Sequence, residues 1–213
     1  MKIEVLVRLQ DEDTGQLLYP GDFIRAAERF GIVSKIDRWV ISNTMKQLSK
    51  RPDLYAKLEQ VAINVSALSV RESEFANFIV EQLETYQLEG SKFCFEITET
   101  EALSNFADTR YFMSLLHDCG CSIALDDFGT GFSSIAYLMD LPFDLIKIDG
   151  IFVKDMHINE IHHGMVDSIV KLAKMLDKPI VAEFVENQEI VVKLRELGVE
   201  WGQGYHFHKP EKL

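Results

Sequence analysis

Polar side chains with catalytic or metal-binding potential recur in this sequence at the ends of short apolar runs. Asn64 follows Ala62-Ile63, Glu96 follows Phe93-Cys94-Phe95, Asp126 and Asp127 follow Ile123-Ala124-Leu125, and Glu183 follows Ile180-Val181-Ala182. Gln203 closes the last such run, Glu4 sits inside the first, and Lys147 lies within Leu145-Ile146-Lys147-Ile148. Taken singly, each is an ordinary strand-to-loop transition, where Asp, Asn and Glu are favoured. As a set they match a barrel of parallel strands, which gathers its C-terminal strand ends around one mouth. Carboxylates gathered in this way repel: a pair about 5 Å apart costs roughly 3 kcal/mol at an effective dielectric near 20. Such a group is either partly protonated or arranged around divalent cations. Carboxylate and amide oxygens suit Mg2+ or Mn2+. The adjacent pair Asp126-Asp127 suits two metals, an arrangement that activates water and stabilises in-line displacement at phosphorus.

Strands alternating with helices must position these residues. The pattern predicts a strand over 3–9 with a hairpin return at 17–19, a helix opened by Pro20 and stopped by Gly31, and a helix over 36–48. It continues with a strand at 61–64, a helix over 72–86, a strand at 93–95, a helix over 108–119 and a strand at 122–125. A short helix from about 133, a strand at 144–148, a helix over 161–176, a strand at 179–182, a helix capped by Asn187 and ended by Gly198, and a last strand from 200 complete the chain. This alternation predicts an α/β fold with a mainly parallel sheet in one domain, 1–213. Gly-x-Gly-x-x-Gly and Walker loops are absent, which argues against an open nucleotide-binding sheet.

Composition narrows the function classes. The net charge of −12 argues against bulk electrostatic binding of nucleic acid, so an anionic ligand needs a local cation. No run of about 18 apolar residues marks a membrane span, and the N-terminus carries no signal-peptide pattern. Cys94, Cys119 and Cys121 are odd in number and spaced as buried thiols rather than a zinc site, which predicts a reducing, cytoplasmic setting.

The segments Glu4-Val5-Leu6-Val7-Arg8, Asn64-Val65-Ser66, Phe95-Glu96-Ile97-Thr98-Glu99, Asp126-Asp127-Phe128-Gly129-Thr130-Gly131, Lys147-Ile148-Asp149, Ala182-Glu183-Phe184-Val185-Glu186 and Gln203-Gly204-Tyr205 resemble, in order and spacing, the EAL domain family of bacterial cyclic di-GMP phosphodiesterases. The resemblance implies a modified TIM (β/α)8 barrel with an antiparallel first strand, and metal-dependent hydrolysis of cyclic di-GMP to linear pGpG with two Mg2+ or Mn2+ ions. It implies that Glu4, Asn64, Glu96 and Asp126 hold one metal and that Asp126, Asp127 and Glu183 hold the other. Lys147 is then expected to polarise the attacking water, Glu183 to serve also as general base, and Gln203 to support the water shell. Arg8 is expected to contact phosphate, a role its planar guanidinium suits. Leu6, Asp149, Phe184, Glu186 and Pro210 complete the expected substrate contacts. Phe128, Gly129, Thr130 and Gly131 fall in the span 127–134, which resembles the family's regulatory loop. Glu99 resembles the loop's anchor. Homodimerisation near this loop is expected, coupled to metal occupancy.

The chain departs from the family pattern in three places. Val5 stands where the family has Ala, and Phe184 where Gly is commoner, so Phe184 is expected to line the guanine site. Both ends are short, which suggests part of a larger signalling protein with fused sensor or diguanylate cyclase domains, through which it could be membrane-anchored. The alternative to an enzyme is a catalytically silent cyclic di-GMP receptor; retention of every matched ligand position favours the enzyme. His162-His163, His206, His208, Trp39 and Trp201 are read as surface or packing residues.

Overall fold

The computed structural model describes residues 1–131 and 135–213. They form two compact units, one of Met1–Glu96 and Ala107–Ser122, the other of Ile97–Phe106 and Ile123–Leu213. The chain begins with β1 (Lys2–Val5), β2 (Leu9–Gln10), β3 (Leu17–Leu18), α1 (Pro20–Arg29), α2 (Val33–Ser49), α3 (Pro52–Lys57), β4 (Gln60–Asn64), α4 (Ala67–Val70), α5 (Phe75–Tyr86) and β5 (Phe93–Thr98). Next come α6 (Glu99–Ser104), in the second unit, and α7 (Phe106–Asp118), which apart from Phe106 belongs to the first. The rest is β6 (Ser122–Phe128), α8 (Ile135–Asp140), β7 (Leu145–Ile148), α9 (Gly150–Val153), α10 (Glu160–Met175), β8 (Ile180–Ala182), α11 (Gln188–Leu197) and β9 (Trp201–Gly202).

In the first unit β1, β4 and β5 lie side by side and parallel, with Glu4 opposite Ala62 and Asn64 opposite Glu96. The first strand therefore runs parallel to its neighbour, which corrects the expected antiparallel pairing. The physical reason is its connection: α1, α2 and α3 intervene before β4, and a helical crossover of that length returns the chain in the same direction. The antiparallel pairing lies instead in the β2–β3 hairpin, where Leu9 faces Leu18 and Gln10 faces Leu17. The predicted strand over 3–9 is accordingly two pieces, β1 ending at Val5 and β2 beginning at Leu9. In the hairpin turn, the Asp11 carboxylate accepts from the Thr14 N–H at 2.7 Å and from the Thr14 hydroxyl at 2.8 Å. The core of this unit comes from α2 (Val40, Ile41, Met45, Leu48) and α5 (Phe75, Ile79, Leu83), with the Phe75 ring stacked on Phe112 of α7.

In the second unit β6, β7, β8 and β9 are parallel neighbours in that order. Ile123, Ala124, Leu125, Ile146 and Ile148 are completely buried, so these strands read as unbroken apolar runs rather than alternating ones. Asn187 caps α11 by accepting from the Ile190 N–H at 2.9 Å, and Gly198 ends it at φ +82°. The short helix expected from about 133 is α8; residues 132–134 lie outside the described residues. Among the described residues no helix is long and apolar enough to cross a membrane.

Three short helices, α4, α6 and α9, begin at most two residues beyond the end of a strand and were not visible in the hydrophobic period. At four to six residues they are too short to show it. Their caps carry them: Ser66 accepts from the Ser69 N–H, Thr98 from Glu101 in a full capping box, and Asp149 from Ile151.

Asp37 of α2 ties one of these turns to the core. It is buried, and one carboxylate oxygen accepts from the Ser66 N–H at 3.0 Å and from the Ser66 and Ser69 hydroxyls at 2.6 Å each. These bonds hold the chain two residues beyond Asn64. Asp37→Ala leaves the three donors without that acceptor and is expected to cost about 3 kcal/mol of stability. The loss is read as a lower urea midpoint at unchanged slope; a loss below about 1 kcal/mol would refute this role for Asp37.

Candidate active site

In the second unit the problem is to bring consecutive residues, Asp126 and Asp127, to one face of a strand whose successive side chains normally point oppositely. The solution is a register shift in β6 between Leu125 and Phe128, with Asp127 in the left-handed region at φ +52°. Asp tolerates that conformation better than most residues. The bulge brings carboxylate oxygens of Asp126, Asp127 and Glu183 all within 4.8 Å of one another. Lys147, delivered by the buried strand β7 and only 1% exposed, places its Nζ 2.8 Å from Glu183 and 3.2 Å from Asp126.

Glu183 follows β8 and keeps the ladder, its N–H donating to the Ile148 carbonyl at 3.2 Å. Val185 donates to Gln203 and Gln203 to Ala182, at 3.0 and 2.8 Å. Phe184 between them is left-handed at φ +50°. For a bulky residue that conformation costs about 1–2 kcal/mol, so the surrounding ladder bonds must hold it.

The electrostatics are unbalanced. Each ionised carboxylate pair at this separation repels by roughly 3 kcal/mol at an effective dielectric near 20, and one ammonium faces three carboxylates. With all groups ionised, the cluster carries a residual charge of −2, which one divalent cation would neutralise. Its donors are all hard oxygens, so the residues present fit Mg2+ or Mn2+. The strain is recorded in Asp127, whose carboxyl is pushed up to about 6 by burial first, then by the charges of Asp126 and Asp149, with Lys147 opposing and Glu101 adding.

The loop that follows is anchored in the same unit. The buried Glu99 carboxylate, at the start of α6, accepts from the Gly129 N–H at 2.8 Å and the Gly131 N–H at 3.3 Å. Gly129 has φ +100°, whereas Gly131 has ordinary φ but lies so close to Glu99 that a Cβ would come within 3.2 Å of its carboxyl. The Thr130 hydroxyl closes the turn on the Asp127 carbonyl at 2.9 Å, and Phe128 is buried.

In the first unit Glu4, Asn64 and Glu96 lie on three adjacent strands. The Asn64 amide donates to Glu4 Oε1 at 2.8 Å, which leaves its carbonyl oxygen as a possible metal donor, and Asn64 sits directly across the ladder from the buried Glu96. Leu6 is exposed, and Arg8 donates to the Val7 carbonyl while stacking 4.8 Å over the Tyr19 ring. Among the other expected substrate contacts, Asp149 is engaged as the cap of α9, and Phe184, Glu186 and Pro210 are exposed.

Two residues escaped the sequence reading. Asp37 had a signal, being the acid on the otherwise apolar stripe Val33, Val40, Ile41 of α2. Gly150 had none, because the neighbour that requires a glycine there, the Phe184 ring, 2.1 Å from where a Cβ would sit, is distant in sequence. His162, read as a solvated surface residue, is half-buried, pairs with Asp155 and meets the Phe152 ring edge-on.

A family model described as EAL domain matches residues 1–210. Among curated proteins, the chain is 39% identical over its whole length to a cyclic di-GMP phosphodiesterase, PdeB, of Shewanella oneidensis, and 38% identical over 99% of its length to another, PdeF, of Escherichia coli. It spans only 24% and 28% of those relatives. Among solved structures, a PaMucR phosphodiesterase in complex with c-di-GMP superposes with a TM-score of 0.92 at 31% identity, over 98% of this chain and 84% of that one. The FimX EAL domain of Pseudomonas aeruginosa bound to c-di-GMP gives 0.88 at 27% identity, over 98% of this chain and 83% of that one.

Asp127 generates a signed pH prediction. Its folded-state value lies above the ordinary 3.8, so the unfolded chain releases this proton at lower pH than the folded one. The metal-free protein therefore loses stability as pH rises from about 4 to about 6, and the loss is complete above about 6. Asp127→Asn is expected to melt higher than wild type at pH 7.5 without metal, with the gap closing toward pH 4. Mn2+ is expected to raise the wild-type melting temperature more than the variant's. A gap of the same size at both pH values would show that the charge is not the cause.

Proposed function

The chain belongs to the EAL domain family and has its α/β fold, and from that premise we propose that it hydrolyses cyclic di-GMP to linear pGpG in a divalent-metal-dependent reaction. The single observation that carries this reading is the cluster of Asp126, Asp127 and Glu183 around the buried ammonium of Lys147. Curated relatives named as cyclic di-GMP phosphodiesterases and solved neighbours with c-di-GMP bound support the substrate.

The proposed metal ligands are Asp126, Asp127 and Glu183 of the second unit and Glu4, Asn64 and Glu96 of the first. Two bound Mg2+ or Mn2+ ions would supply positive charge that makes water more acidic and stabilises negative charge on phosphate oxygens. The remaining chemistry belongs to the side chains. Lys147 holds Asp126 and Glu183 in place and donates a hydrogen bond to the attacking water, and Glu183 accepts that water's proton. The water oxygen forms the new bond to phosphorus, the bond from phosphorus to the ribose 3′ oxygen breaks, and the departing oxygen takes up a proton. Gln203, beside β8, supports the water shell. Arg8 contributes a phosphate contact; Leu6, Asp149, Phe184, Glu186 and Pro210 are the remaining proposed substrate contacts.

The regulatory reading is part of the same proposal: Glu99 clamps the loop at Gly129 and Gly131, and dimerisation acts through it on metal occupancy. The curated relatives extend far beyond the matched span, and the proposal includes fusion to sensor or diguanylate cyclase domains and a cytoplasmic setting.

The deciding experiment incubates the protein with cyclic di-GMP and Mg2+ or Mn2+, with and without chelator, and follows pGpG by chromatography. Metal-dependent pGpG is expected; tight binding without turnover in either metal would make the domain a receptor. Asp126→Ala is expected to lower turnover by about 1000-fold or more at saturating metal, since it removes both a proposed metal ligand and a partner of Lys147. Lys147→Ala is expected to reduce kcat by about 100-fold with a smaller change in KM. A change confined to KM would separate Lys147 from the attacking water.

A further inference from the structure

The loop that Glu99 clamps is also seated by side chains that the proposed reaction does not use. Gly129 has no room for a side chain: a Cβ there would lie 2.8 Å from Ile169 Cδ1 of α10 and 3.0 Å from Phe152 Cε2 of α9. The start of the loop therefore rests against two helices while its N–H donates to Glu99. The Phe152 ring is held in turn. The His162 ring meets it edge-on, with centroids 5.8 Å apart and planes at 87°, a geometry that aromatic pairs favour. His162 Nδ1 pairs with Asp155 Oδ1.

Asp155 and His162 bracket the corner between α9 and α10. Within it the Asp155 carbonyl accepts from the Ile158 and Asn159 N–H groups at 3.0 and 2.9 Å, and Asn159 Oδ1 accepts from the His162 N–H at 3.2 Å. The bond to His162 holds the Asp155 carboxyl below its ordinary 3.8, with burial opposing and the His162 charge, Asn159 and Lys154 adding. The two side chains are 25% and 34% exposed, so the pair adds little to global stability. Its effect is geometric: the carboxylate fixes which way the imidazole faces, and the imidazole limits where the Phe152 ring can go. We propose that Asp155 and His162 form a latch that keeps the Phe152 ring against Gly129 and so sets, from the α9–α10 corner, how firmly the loop is held on Glu99. Both are positioning residues, outside the carboxylate cluster. The latch rests on the geometry of Asp155, His162, Phe152 and Gly129; its consequence for metal binding rests on the regulatory reading of the loop.

The test is hydrogen exchange of the Gly129 and Gly131 N–H groups in the metal-free protein, followed by NMR alongside thermal melts. The Ile190 N–H, bonded to Asn187 in the same unit, is the internal reference. His162→Ala is expected to speed exchange at both glycines about fivefold, the scale of one lost edge-to-face contact, with Ile190 unchanged. Asp155→Ala should act alike, and the double variant should exceed neither. Asp155→Asn, which keeps an acceptor for the imidazole, should stay near wild type. Phe152→Leu should also speed exchange, and should leave His162→Ala without further effect. Unchanged glycine exchange in His162→Ala overturns the latch. So does a uniform speeding that includes Ile190, which a merely structural role would give, or a further effect of His162→Ala in the Phe152→Leu background. Calorimetric titration of the same proteins with Mn2+ tests the reading beneath it. Weaker Mn2+ binding in His162→Ala is expected; unchanged binding together with faster glycine exchange would leave the latch standing and sink the link between loop and metal.

Discussion

Three carboxylates held around one buried ammonium are the constraint on which the second unit turns. Lys147 is almost fully buried and pairs with Asp126 and Glu183, which offset the cost of burying its charge, while its ammonium offsets part of the repulsion between those carboxylates. A strand as apolar as β7 would not otherwise place an ammonium at its inner end. The arrangement is still short of positive charge, and the raised proton affinity of Asp127 is the measure of that shortage. A cluster of this kind is poised rather than satisfied: it can gain a proton or a cation. At neutral pH, above the value of about 6 for Asp127, the cation is the available choice.

The local backbone serves this constraint. Adjacent carboxylates on one face need the irregularity in β6, and the left-handed residue falls on Asp127 itself, where the side-chain type keeps the strain small. The second left-handed position, Phe184, directly follows Glu183, and its side-chain type does not suit it. These two sit on or beside carboxylates of the cluster, whereas the other left-handed non-glycine residues, Gln87 and Asp177, lie at the ends of α5 and α10. Backbone strain concentrated next to ionisable groups, and held there by ladder bonds on either side, is the pattern expected where a site and not the fold sets the local conformation.

The residues of the site were legible in the sequence because strand ends are marked: an apolar run stops, and a polar residue follows. Asn64, Glu96, Asp126, Asp127 and Glu183 were singled out in this way and Lys147 as a polar residue within such a run, although β5 and β6 continue past their polar residues to Thr98 and Phe128; the alternation of strands and helices gave the α/β class. The direction of the first strand was not legible, since β1 is four residues long and its pairing is decided by the crossover that follows. The short helices at the strand ends were missed by periodicity, although Thr98-x-x-Glu101 carried a capping signature that could have announced α6. Contacts between distant segments left no mark at all. Nothing near Gly150 points to Phe184, and only the acid on the apolar stripe of α2 hinted that Asp37 binds the turn after Asn64.

The same strand that carries the adjacent carboxylates Asp126 and Asp127 leads into the loop. Asp127 and Gly129 are two residues apart, and the Asp127 carbonyl accepts from the Thr130 hydroxyl while the Gly129 and Gly131 N–H groups converge on Glu99. Glu99 is buried, so releasing the loop would leave a carboxylate without two of its donors, and the release is costly unless other groups replace them. Moving the loop also turns the peptide that follows Asp127, and with it the left-handed geometry that aims the Asp127 carboxylate. Loop position and carboxylate position are therefore linked through the five consecutive residues Asp127 to Gly131. If a cation bound to the carboxylates favours one loop position, that loop position strengthens the cation's binding by the same free energy.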